Sequence, residues 1–261
     1  MRTVTIALLL GWIGLSATSS YANDAQGGGT TKVKYDRPQV SAVWEGWVEN
    51  YGNDFNSDFF NEGISFDQEV TLTIDFLNDW YLSPTAAYSM TNIPGKDSLN
   101  GGSQYITLKK KKVFQDNPWG LDLQVYLRQY SGTPPSLGDK SPKTRFSVSA
   151  KGKPAKDLTL GYTLQPQYFW DRPKDSSVRW NTRNILFSNY DISDKFTASL
   201  SLWYIYDFLE TDPDTDTWLF YPEITWNVSD RVGITPYLLW EMETFSQRDM
   251  TVGLLASIGL L

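Results

Sequence analysis

The chain has 261 residues, no cysteine and no histidine, with 23 basic and 30 acidic side chains for a formal net charge of −7. Without cysteine there are no disulfides, thiolate metal sites or thiol nucleophiles; without histidine the commonest general base, the commonest metal ligand and every Ser-His triad are gone. Net acidity argues against a nucleic-acid partner, and an aromatic content of 15% with a mean hydropathy of −0.38 describes an aromatic-rich chain that is polar on average.

Residues 1–22 read as a cleaved secretory signal. Arg2 supplies the positive start, Val4 to Leu15 an apolar run, and Ser20 and Ala22 the small residues before the predicted cleavage point. Asn23 follows rather than a cysteine, which excludes lipoprotein processing. No later stretch reaches the roughly 18 apolar residues of a spanning helix. The exported product is therefore expected either to be soluble or to cross a membrane with strands. Residues 23–38, Gly-rich and polar, are expected to form a flexible periplasmic tail. Residues 39–261 are expected to form one domain.

From there the side-chain period is two. In Ser65–Phe76, the residues Phe66, Gln68, Val70, Leu72, Ile74 and Phe76 share one face, opposite Asp67, Glu69, Thr71, Thr73 and Asp75. Leu121–Tyr130 and Lys195–Asp207 alternate in the same way. The template predicts twelve strands starting near residues 39, 65, 80, 103, 120, 143, 158, 177, 195, 217, 231 and 249. The one at Val178–Tyr190 has the weakest pattern, since neither face is cleanly apolar. Long and short connections alternate from end to end. That is the plan of an all-β, antiparallel up-and-down transmembrane barrel with short periplasmic turns and long external loops. A secreted soluble β-sandwich also alternates, but Trp and Tyr here gather near strand ends, among them Trp80, Trp119, Tyr168, Trp170, Tyr190, Trp218 and Trp226. Interfacial aromatic belts place them there.

In signal segment, alternating strands, loop asymmetry and apolar final strand, the chain resembles Gram-negative outer-membrane β-barrel proteins, and in size the small twelve-stranded monomeric porins. The likeness is architectural, with no family-specific motif, and the last residue is Leu261 where the class usually ends in an aromatic. The resemblance implies an outer-membrane location, contact with outer-membrane lipid and lipopolysaccharide, and a monomer.

Charge is segregated along the chain. Residues 23–102 carry 4 basic and 12 acidic side chains, residues 103–183 carry 15 and 6, and residues 184–261 carry 3 and 12. Closing a barrel brings the first and last strands together, so two acidic regions should join into one wall facing a basic wall. A lipid-facing Arg or Lys at mid-depth costs about 2–4 kcal/mol, which predicts that strand charges point inward. The expected pore-lining basic residues are Lys109, Lys111, Arg128, Arg145, Arg179 and Arg183. The expected acidic ones are Glu45, Asp67, Glu69, Asp75, Glu223 and Glu241. Lys110 and Lys112 of the four-lysine run should point outward at the periplasmic rim.

Little points to catalysis. Asp67 and Glu69 share a face but read as wall lining. Asp212, Asp214, Asp216 and Glu223 have EF-hand spacing, yet Thr217 occupies the glycine position and a strand follows. No enzyme activity, metal or cofactor is expected. The expected function is a porin-like channel for passive diffusion of small hydrophilic, anion-leaning solutes; the alternative is a non-conducting barrel presenting its loops to a partner. Phe55, Phe59 and Phe60 are unusual for an exposed loop and would serve either as a constriction or as a contact surface.

Overall fold

A computed structural model describes residues 39–50, 64–77, 79–92, 98–102, 104–113, 120–132, 141–171, 178–210, 213–242 and 250–260. The expected signal segment and tail, the loop with Phe55, Phe59 and Phe60, Trp119, Asp212 and Leu261 lie outside these residues.

The described residues form thirteen strands: β1 (Gln39–Asn50), β2 (Ile64–Leu77), β3 (Trp80–Asn92), β4 (Ser98–Gly101), β5 (Tyr105–Lys110), β6 (Asp122–Tyr130), β7 (Lys143–Ala155), β8 (Leu158–Phe169), β9 (Val178–Ser193), β10 (Phe196–Leu209), β11 (Thr215–Ser229), β12 (Val232–Glu241) and β13 (Met250–Gly259). Every neighbour pair is antiparallel, and β1 pairs with both β2 and β13, closing the sheet into a ring. β4 pairs with the upper part of β3 at Tyr88–Thr91, and β5 with its lower part at Trp80–Thr85. The two pieces together make one stave, so the barrel has twelve.

The split stave departs from the single strand expected near residue 103, and the reason is local. Gln104 turns its carboxamide into the ladder: its Oε1 accepts from Ala87 N at 3.2 Å and its Nε2 donates to Ala87 O at 2.9 Å. A side chain thus satisfies both backbone groups that a continuous strand would have paired.

Burial is inverted relative to a soluble protein. The buried side chains are mostly polar, including Thr85, Thr107, Gln124, Ser147, Thr163, Gln167, Thr235 and Ser257, while Val70, Leu72, Ile106, Leu127, Leu160, Leu186, Ile224 and Leu254 are exposed. Strict alternation produces this, since one parity of each strand faces the interior and the other faces out. An apolar exterior around a polar interior is what lipid requires of a barrel. Hydroxyl pairs staple the inner wall: Thr71 with Thr85 at 2.9 Å, Thr73 with Ser83 at 3.1 Å, Ser149 with Thr163 at 2.7 Å and Thr225 with Thr235 at 2.9 Å. Each such cross-strand pair is worth roughly 0.2–1 kcal/mol.

Exposed aromatics collect toward the two rims. Phe196 stacks with Trp226 at the short-turn end; Trp180 with Phe208, and Tyr204 with Trp218, lie at the long-loop end. β9, the weakest strand in sequence, is the longest at 16 residues. Its outward Asn184, which spoils the apolar pattern, accepts a hydrogen bond from Tyr162 Oη of β8 at 2.6 Å.

Candidate functional site: the charged interior of the barrel

The site is the inner wall itself. β5 to β9 supply the basic side and β1 to β3 with β10 to β13 the acidic side, joined through the β1–β13 pairing.

On the basic side, Arg128 of β6 and Arg145 of β7 are direct cross-strand partners. Like charges in that relation repel, and each guanidinium is drawn aside by neutral groups. Arg128 Nε donates to Thr107 Oγ1 at 2.8 Å and its Nη1 to Tyr130 Oη at 3.3 Å. Its guanidinium carbon lies 4.2 Å from the Tyr105 ring centroid and 5.3 Å from that of Tyr126, a cation–π arrangement. Arg145 donates through Nε and Nη2 to Gln167 Oε1, at 3.0 and 2.7 Å. Arg183 of β9 is paired in register with Gln165 of β8, and that glutamine donates to Tyr126 Oη at 2.8 Å. Among the described residues, the ion pairs are Lys112–Asp79, Lys151–Asp122 and Arg179–Glu210, so none neutralises Arg128, Arg145 or Arg183.

On the acidic side, Glu45 and Glu69 are direct cross-strand partners on β1 and β2. Tyr105 Oη donates to Glu69 Oε2 at 2.6 Å, and Arg128 lies within electrostatic reach of Glu45. The two sides therefore meet where Glu69 of β2 reaches Tyr105 of β5. Farther round, Tyr237 of β12 donates to Glu49 of β1 and stacks against Tyr221 at 5.1 Å. Tyr221 lies within electrostatic reach of both Glu49 and Glu223, and Trp203 continues the aromatic strip at 6.3 Å.

The remaining charges lie toward the ends. Asp75 and Lys109 both pair with Tyr81 near the short-turn rim, and Lys111 sits over the Tyr81 ring at 4.7 Å. Lys110 sits over the exposed Trp80 at 5.8 Å. Asp67 and Glu241 lie toward the long-loop end, opposite Ser89 and Leu219. Arg179, also at that end, is held by Glu210 Oε1 at 2.8 Å, which sets it apart from Arg128, Arg145 and Arg183. Among the described residues, no group of three or more carboxylates is placed to hold a metal ion.

Reading charge alone missed the neutral and aromatic half of this wall: Tyr105, Gln165, Gln167, Asn181, Trp203, Tyr221 and Tyr237. The signal was available, since each shares parity with a charged residue on its own or the adjoining strand.

A closed ring of twelve antiparallel staves, polar within and apolar without, is the fold of the small outer-membrane barrels. No protein-family model and no curated protein matches the chain. Solved structures do. An outer membrane channel from Pseudomonas putida F1 aligns with a TM-score of 0.63 and 10% identity, over 89% of this chain and 100% of that one. The NanC porin aligns with a TM-score of 0.57 and 10% identity, over 84% and 98%. The KdgM porin in complex with disordered oligogalacturonate aligns with a TM-score of 0.53 and 8% identity, over 84% and 98%.

Proposed function

We propose that the protein is an outer-membrane channel through which small hydrophilic solutes, anions favoured, diffuse passively along a narrow charged lumen. It performs no chemistry on them. The observation that carries this reading is the set of three interior arginines, Arg128, Arg145 and Arg183, held by neutral partners and without an ion pair among the described residues. A barrel that only needed to fill its centre would pair these charges. Left unpaired across from Glu45, Glu69 and Glu223, they set a transverse field of the kind that tunes solute selectivity in pores.

In this reading Lys109, Lys111 and Asp75 flank the periplasmic mouth, and Arg179, Asp67 and Glu241 the external one. One chain closes the ring through β1 and β13, so a monomer suffices. The exterior aromatics meet the lipid interface, and Lys110 points toward lipid phosphates. The oligogalacturonate in one similar structure is a polyanion, which supports an anionic solute by analogy.

The test is reversal potential across a planar bilayer under a salt gradient. Replacing Arg128 and Arg145 together by Ser should shift it toward cation preference. An unchanged value would refute the role of the arginines.

A further inference from the structure

Resting on the channel reading, the two walls can be assigned complementary halves of one solute. We propose that the lumen recognises zwitterions: a carboxylate on the β7–β9 wall and a quaternary or primary ammonium group on the adjoining wall that starts at β10.

The anionic half is carried by unmet donors. Gln167 is 2% exposed and accepts both Arg145 bonds on its Oε1. That fixes the orientation of its amide and leaves Nε2, a donor, without a partner. Arg183 Nε is likewise buried and unpartnered. Two donors without acceptors thus flank Arg145, which lies within electrostatic reach of Arg183; leaving buried donors unsatisfied is costly, so an anionic acceptor there is favoured. Asn181, the register partner of Gln167, contributes an unpartnered acceptor, Oδ1, which a water or hydroxyl can bridge to Gln167 Nε2. Asp207, the register partner of Asn181, lies within electrostatic reach of Arg183 without an ion pair. It weakens anion binding, and a conducting site must release what it binds.

The cationic half begins on the stave next to β9 and runs from β10 through β11 and β12 to β1. Tyr221 and Tyr237 are stacked with an interplanar angle of 23°, Trp203 extends the strip, and Glu49 and Glu223 stand beside it. Aromatic faces with adjacent carboxylates suit a poorly hydrated ammonium group. A monoanion meets attraction on one wall and carboxylates on the other. A zwitterion meets attraction on both.

Glycine betaine is the probe. Its isostere tert-butylacetate keeps the carboxylate and loses the positive charge, and choline keeps the quaternary ammonium and loses the carboxylate. Each is added to a bilayer holding the full-length channel, and transient block of the current is recorded. Betaine is expected to block at about tenfold lower concentration than either comparator. In E49Q/E223Q, betaine should fall to the level of tert-butylacetate. In R183Q, betaine should fall to the level of choline. Heat-modifiable migration on gels checks that each variant is folded. Equal block by betaine and tert-butylacetate in the unsubstituted protein would overturn the zwitterion proposal while leaving the channel intact. Absence of any conductance would overturn the channel reading itself, and the proposal with it.

Discussion

Tyr237 lies flat against the wall only because position 253 is glycine. A Cβ there would sit 2.1 Å from the Tyr237 ring, and one at Gly161 would meet the Phe187 ring at the same distance. Large interior rings are thereby folded along the wall rather than across the lumen. Gly253→Val should push Tyr237 inward, away from Glu49, at a cost of about 1–3 kcal/mol from overpacking. Single-channel conductance should fall; an unchanged conductance would show that the ring does not border the conducting path. At this scale alternation puts Arg128, Arg145, Glu45 and Glu69 on the faces opposite the apolar ones. What alternation does not reveal is partnership. That Gln167 fixes Arg145, or that Glu210 takes Arg179, depends on the registers of the β7–β8 and β9–β10 pairs, which alternation does not set.

At the scale of elements, the fourth stave is the informative one. Its two pieces are joined through the Gln104 carboxamide, which replaces a backbone rung opposite Ala87. Gln104→Ala strands a donor and an acceptor in the wall and should cost about 1–3 kcal/mol, read as a lower denaturant midpoint in lipid or detergent. A midpoint equal to the unsubstituted protein would mean water replaces the amide at no cost. The break could not be read from the sequence, because a glutamine acting as backbone has no period. The strand count survived, since β4 and β5 occupy one place in the ring. β9 shows the converse. Its mixed outward face weakened the pattern, yet Tyr162 satisfies Asn184 locally, and pairing along both edges holds the strand. Tertiary pairing outweighs the pattern there.

The molecule as a whole carries two inversions. The first is of polarity: an exposed apolar surface surrounds buried Thr, Ser and Gln. An arginine at outward Leu186 should destabilise the barrel by about 2–4 kcal/mol if that position lies near the bilayer midplane; tolerance in lipid vesicles would contradict the membrane orientation. The second is of charge. A net −7 conceals a basic segment between two acidic ones, and ring closure turns that linear order into opposed walls. The inversion of polarity was legible in the sequence, because it follows from period alone; the order of the charged segments follows round the ring once it closes. Whether the walls leave a passage between them is a matter of side-chain placement, which period does not encode. The most direct test is planar-bilayer recording of the purified chain. Discrete conductance steps on insertion are expected. A bilayer that stays silent at high protein concentration, with the barrel folded by its heat-modifiable migration, would contradict the channel reading.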